Sequence, residues 1–215
     1  MGLDMYLEKR EYKYRKPDGT YSTSAEDLTF DKWGASNGVY IESTVAYWRK
    51  ANQIHRWFVD NVCDGEDRCE PHDVSLEQVT ELRDLCMKVL KAIDGTKMTV
   101  PDKDLEGFAK YVAYAKKNPK DNPTIVSDID FTIDADALLG GDLDNYPSLW
   151  YHEMPPSAAA VCEELLPCQS GFFFGSTEYN GNYLYSVVKT VKMLNEVIEG
   201  CKDEKYPNFI YQASW

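Results

Sequence analysis

YWRKANQIHRWFVDNV, residues Tyr47 to Val62, is the stretch on which the reading of this chain turns. At 3.6 residues per turn, Tyr47, Ala51, Ile54 and Phe58 fall in one apolar stripe, widened by Trp48, Val59 and Val62, and this predicts one long helix. Arg49, Lys50, Gln53, Arg56 and Asp60 fall on the opposite, polar side. Asn52 and His55 fit neither set. They lie in line with Trp48 and Val59, on the flank of the apolar stripe, where an amide and an imidazole need hydrogen-bond partners. Two readings follow: satisfied core residues that tie the helix to its neighbours, or the wall of a polar pocket.

Toward the N-terminus, Leu3, Met5 and Leu7 alternate with Asp4, Tyr6 and Glu8, the pattern of a half-buried strand that Tyr12 and Tyr14 continue. Pro17-Asp18-Gly19 is a turn signature, and Thr20-Tyr21-Ser22 is the expected hairpin return. A loop-rich passage from Ser24 to Gly38 leads to a short strand at Val39-Tyr40-Ile41, with Ser43 or Thr44 expected to cap the organising helix and Gly65 to follow its end.

Toward the C-terminus, Ser75 and Gln78 form a capping box for a helix over 75–93 closed by Gly95. A helix over 102–117 stops before Pro119. Thr124 to Ile133 reads as a strand with Ile129, Phe131 and Ile133 inward, and Asp134 to Pro156 as an irregular acidic segment. Ser157 is placed to cap a short helix through Leu166. Leu184, Val187, Val188, Val191, Leu194 and Ile198 define the last long helix, and Phe209-Ile210-Tyr211 a final edge strand. Strands and helices come without a βαβ rhythm, which predicts one α+β domain over 1–215: a small, mostly antiparallel sheet packed against about four helices.

Composition sets the bounds. Of 215 residues 43% are hydrophobic and 13% aromatic, too apolar for a disordered chain. No apolar run approaches the ~18 residues of a membrane span, and the start lacks the basic and apolar regions of a signal sequence. The expectation is a protein without membrane association, kept in the cytoplasm. Myristoylation at Gly2 is excluded by Tyr6, where that pattern needs Ser or Thr. Six cysteines without an export signal read as reduced thiols. Cys63, Cys69 and His72 lie close in sequence, but their spacing lacks the tight knuckle of a zinc site.

The net charge is −13, and between Lys120 and Lys189 stand 68 residues with eleven Asp or Glu and no Lys or Arg. Direct nucleic-acid binding is not expected, because it is driven by cations that displace counterions from phosphate. A host protein with a basic surface is the natural partner for such a stretch.

The segment Gln169-Ser170-Gly171-Phe172-Phe173-Phe174-Gly175-Ser176-Thr177 reads as a short buried strand flanked by small residues that let a backbone approach a ligand. With the opening MGLDMYL and the helix text YWRKANQIHRWF, the segment QSGFFFGSTEY resembles a family of uncharacterised proteins from bacteriophages and prophages. The resemblance covers both ends and the middle of the chain but not Asp121 to Pro156. It implies a phage or prophage gene acting in the bacterial cytoplasm and identifies no catalytic residue.

Three chemistries compete. Asp128-Ile129-Asp130-Phe131-Thr132 resembles the DxDxT strand end of haloacid dehalogenase-type phosphotransferases, but that motif normally opens its domain, and the first lysine after it is Lys189. A second reading joins Trp48, Asn52 and His55 with Ser170, Gly171, Gly175, Ser176 and Thr177 in a small polar pocket for a small molecule or nucleotide, with Arg49 at its rim as anion partner and His55 as the only plausible general base. No nucleophile elbow, phosphate loop or metalloprotease motif accompanies it, and nothing in the pattern calls for a cofactor. The third reading, placed first, is a phage accessory protein that inhibits a host nucleic-acid-binding enzyme, a defence nuclease for example. Asp128, Asp130, Asp134, Asp136, Asp142 and Asp144 would stand in for phosphates on its acidic surface.

Overall fold

The stretch that was expected to be one helix is a strand, an elbow and a helix. The computed structural model describes residues 2–118, 128–141 and 147–215. In chain order its strands are β1 (Asp4–Arg15), β2 (Tyr21–Ser22), β3 (Gly38–Arg49), β4 (His72–Val74), β5 (Lys97–Thr99), β6 (Asp130–Thr132) and β7 (Asn208–Ser214). The helices are α1 (Asn52–Asn61), α2 (Leu76–Ile93), α3 (Leu105–Lys117), α4 (Ala135–Gly140), α5 (Pro156–Leu165) and α6 (Gly181–Gly200).

Tyr47, Trp48 and Arg49 therefore belong to β3, which pairs antiparallel with β1 from Asp4↔Arg49 to Tyr14↔Gly38 around a bulge at Leu7/Glu8. The β-branched and aromatic run Val39 to Trp48 suits a pleated surface, and its burial has period two: Ala46 and Trp48 are inside, Arg49 outside. Ser43 and Thr44 cap nothing; they pair with Lys9 and Glu8. The apparent 3.6-residue stripe arose because Tyr47 stands four residues before Ala51, on the far side of a break. That break is Lys50, whose φ of 56° ends the strand and turns the chain into α1.

The main sheet runs β2-β1-β7-β4, with β3 on the other edge of β1. The expected final edge strand is central instead, because β7 pairs with β1 on one side and β4 on the other. Leu3, Met5, Leu7, Trp48, Phe209, Tyr211 and Ala213 form the core face. α2 and α6 pack together over this face through Val79, Leu82, Cys86, Val89 and Leu184, Val187, Val188, Val191, Leu194. Each such large side chain removed from water stabilises the fold by roughly 1.5–3 kcal/mol. Ser75 and Gln78 make the expected capping box at the start of α2.

β5 and β6 form a second, two-stranded sheet, and α3 packs its Phe108 and Val112 with Val100 in a satellite cluster. The strand expected over Thr124 to Ile133 reduces, among the described residues, to Asp130–Thr132. Ile133 is buried there as expected, but Ile129 is half exposed. Within the segment expected to be irregular, Asp134 caps α4, and residues 147–151 form a 3₁₀ turn. Antiparallel pairing and segregated helices make this an α+β fold.

Candidate functional site

Two adjoining features grow from the β3–α1 elbow: a buried polar node behind it and an open cleft in front. Because Lys50 is left-handed and Ala51 supplies no side-chain cap, α1 begins abruptly at Asn52. The Asn52 side chain is spent on the 169–177 segment. Its Oδ1 accepts from Gln169 N–H at 3.1 Å, and its Nδ2 donates to the carbonyls of Phe174 and Ser176 at 3.3 and 2.8 Å. That segment is not the buried strand its three phenylalanines suggest. Phe172 and Phe173 are 77% and 55% exposed, Phe173 has a φ of 61°, and only Phe174 turns inward. The reason is local. The Phe174 ring lies where a side chain on Gly171 would be, so the chain must loop back on itself.

His55 is 2% exposed. Its Nδ1 shares a proton with the Tyr211 hydroxyl at 2.8 Å, its Nε2 stands 3.8 Å from the Asp67 carboxylate, and its ring meets Phe174 edge-on. Asp67 in turn accepts from the Trp215 indole and the Cys69 N–H. Burial pushes the pKa of His55 below its ordinary value, with the Asp67 charge opposing. A depressed folded pKa means that the unfolded chain binds the proton more readily. The stability that comes from a neutral His55 is thus complete above about pH 6.5 and is lost as pH falls through the folded value. In urea titrations across that window the wild-type chain is expected to lose stability on acidification, with a shallower slope in His55→Gln. An equal slope in the two would remove His55 from this role.

Neither polar residue reaches the cleft. This space of about 450 Å³ is walled by Arg49, Lys50 and Gln53 on one side, Gly175, Ser176 and Glu178 on another, and Asn182, Tyr183, Tyr185 and Ser186 of α6, with Trp150 and Cys168 completing it. Arg49 is held in place by both carboxylate oxygens of Asp4, at 2.9 and 3.1 Å. Gly175, with a φ of 95°, brings its backbone against Lys50, and a Cβ there would stand 3.1 Å from the Lys50 carbonyl oxygen. Gln53 is 3% exposed, and among the described residues its Nε2 has no hydrogen-bond partner.

No family model, curated protein or solved structure matches the chain.

Of the residues expected to frame a pocket, the structure therefore brings Arg49, Gly175 and Ser176 to the cleft. Trp48 is buried away from it and donates its indole N–H to Thr190 Oγ1 at 2.8 Å. Asn52 and His55 form the support behind the wall, so His55 is no general base for this cleft. Ser170, Gly171 and Thr177 are exposed outside the lining. Sequence reasoning missed Lys50, Gln53, Glu178, Asn182 and Trp150. For Gln53 the helical wheel placed it with the solvent-facing set, and no sequence signal tells that the 169–177 segment folds over it.

The acidic candidates are dispersed in their duties. Asp130 pairs with Lys97 and accepts from Thr99, and Asp134 accepts from Ala137 N–H as the cap of α4. Asp128 and Asp136 are exposed. Asp142 and Asp144 lie outside the described residues. With Asp130 tied to Lys97 and Thr99, the DxDxT resemblance has no paired nucleophile and acid.

All six cysteines are unpaired, and burial pushes Cys63 up to about 12 and Cys162 and Cys168 to about 11, which keeps these thiols protonated. Among the described residues no three His, Cys, Asp or Glu side chains converge on a metal position, Cys63, Cys69 and His72 included. No described helix is long and apolar enough to cross a membrane.

Proposed function

We infer that the protein binds a small anionic molecule, a carboxylate or phosphate compound, in the cleft at the β3–α1 elbow. The observation that carries this reading is the Gln53 amide: a buried donor without an acceptor costs roughly 1–3 kcal/mol, and it sits in the same wall as Lys50 and Arg49. Lys50 beside that donor favours an anion with an acceptor oxygen to spare, while Arg49 is shared with Asp4 and Glu178 brings one negative charge to the lining. Asn182, near the start of α6, adds a neutral amide to the lining. Trp150, half exposed, and Tyr185 offer flat surfaces for the rest of the molecule.

Isothermal titration with a panel of nucleoside monophosphates and small di- and tricarboxylates tests this. Binding of at least one anion is expected, weakened about tenfold or more in Lys50→Asn, since a charge-assisted hydrogen bond contributes ~1.5–3 kcal/mol. Asn is chosen because it tolerates the left-handed backbone at position 50. No heat with any anion, or equal affinity in Lys50→Asn, would end this reading.

A second reading, a phage accessory protein that occupies a basic host surface, draws support from Asp128 and Asp136, which are exposed and lie in the stretch without cations. It competes directly with the first in a pull-down from bacterial lysate, where an acidic-surface contact is released by moderate salt.

A further inference from the structure

Not one residue from Glu8 to Val45 is buried, although this stretch contains β2 and most of β1 and β3. The cause is topological. β7 accompanies β1 only from Asp4 to Arg10, so beyond that point β1 and β3 continue as a ribbon that no described element buries. β2 adds only two residue pairs, at Tyr14 and Arg15, and so narrow a ribbon is marginally stable in water on its own. This one nevertheless exposes five large aromatic side chains, Tyr12, Tyr21, Phe30, Trp33 and Tyr40, at 45% to 82%. Tyr12 sits at its centre, 5.3 Å from the ring of Tyr14 and 5.1 Å from that of Tyr40, and it covers Gly38. At ~150–250 Å² per aromatic side chain, these exposures sum to roughly 600 Å². Each partner in an interface of standard size contributes about 800 Å².

Charge selects the occupant. Residues 8–45 carry six basic and seven acidic side chains, so nearly all of the net charge of −13 lies on the rest of the molecule. Four of those cations are already engaged: Lys9 with Glu204, Arg10 with Glu42, Lys13 with Glu11 and Lys16 with Asp27. A nucleic acid needs free cations, and a strongly basic protein would be drawn to the body rather than to this arm. A second near-neutral aromatic arm meets no such opposition.

The backbone offers the means of attachment. β3 uses one edge on β1, and among the described residues no strand pairs with the other, where Glu42, Ser43 and Thr44 are exposed. The run holds no proline and no lysine, and Glu42 is its one charge before Arg49.

We propose that two copies of this chain associate arm to arm, the free edges of their β3 strands pairing antiparallel about a two-fold axis so that the two arms become one continuous sheet with Tyr40 beside the join. Such an isologous contact closes on itself and stops at a dimer. Sedimentation velocity of the full chain at micromolar concentration, in moderate and in molar salt, tests this directly. The expected particle has twice the 24.6 kDa mass of the chain and persists at high salt, since the contact is apolar and backbone-mediated. Tyr40→Lys and Thr44→Lys, both at exposed positions, are expected to return it to the monomer with an unchanged circular dichroism spectrum. A wild-type monomer, or a dimer that survives both substitutions, overturns the proposal.

Discussion

Asn52→Ala is expected to lower the free energy of unfolding by about 2–4 kcal/mol, more than any surface substitution, because one amide makes three bonds to the 169–177 segment. The loss goes beyond three deleted contacts. The Gln169 N–H and the Phe174 and Ser176 carbonyls stay behind, and the loop that presented them keeps the Phe174 side chain in the core and the long Leu3 N–H bond to the Phe173 carbonyl, 3.4 Å, as its remaining ties there. Urea unfolding gives the magnitude, and limited proteolysis gives the place: new cleavage between residues 169 and 177. A second consequence separates this substitution from ordinary core damage. Where Asn52→Ala is still folded, Gly175 and Ser176 no longer hold the cleft wall, so anion binding is expected to fail at temperatures well below the unfolding midpoint. A change under ~0.5 kcal/mol, the range of a neutral surface substitution, with the loop still protected, would show that the segment is held by something else.

Gly181→Ala is expected to be as damaging for a different reason. A Cβ at this first residue of α6 would lie 1.7 Å from the Leu149 carbonyl oxygen and 2.9 Å from the Trp150 nitrogen, both backbone atoms that have no rotamer to change. Gly181 also donates its N–H to the His152 carbonyl at 2.9 Å, so the two segments cannot simply part. Overpacking a well-filled core costs ~1–3 kcal/mol, and a clash with main chain belongs at the top of that range or above it. Thermal unfolding should show a lowered midpoint, and because Trp150 and Asn182 both line the cleft, tryptophan fluorescence should change in the folded state too. A midpoint within a degree of wild type would mean that the 147–151 turn yields without penalty.

How much of this was legible in the sequence differs from element to element. α2 was readable in full, since a capping box, a regular apolar repeat and a closing glycine all agree. The α+β class followed from separate strand and helix patterns. The misreading at Tyr47 to Val62 came from a genuine degeneracy: Tyr47 and Trp48 satisfy a helical stripe and a pleated strand equally well, and nothing local marks Lys50 as left-handed, a conformation that glycine usually announces. The reading of three phenylalanines as a buried strand failed because hydrophobicity does not reveal which of them faces inward. Asn52 and His55 were rightly singled out as buried polar groups that needed partners. Their partners, Gln169, Ser176 and Tyr211, stand more than a hundred residues away, and no spacing rule reaches that far. The position of Gln53 on the cleft depends on the same distant segment.

The central place of β7 has a consequence for how the molecule is made. β1 is synthesised well before β7, the neighbour on one of its edges, which begins only at Asn208. The β1–β3 ladder closes through residues 16–37 and can form early, whereas pairing Met5 with Ala213 closes a far longer loop. Until Asn208 to Ser214 are made, the growing chain therefore holds the buried end of β1, Met5 and Leu7, with Leu3 just before it, open along one side. Of the strands in this sheet, the last to be made is the one that shuts it.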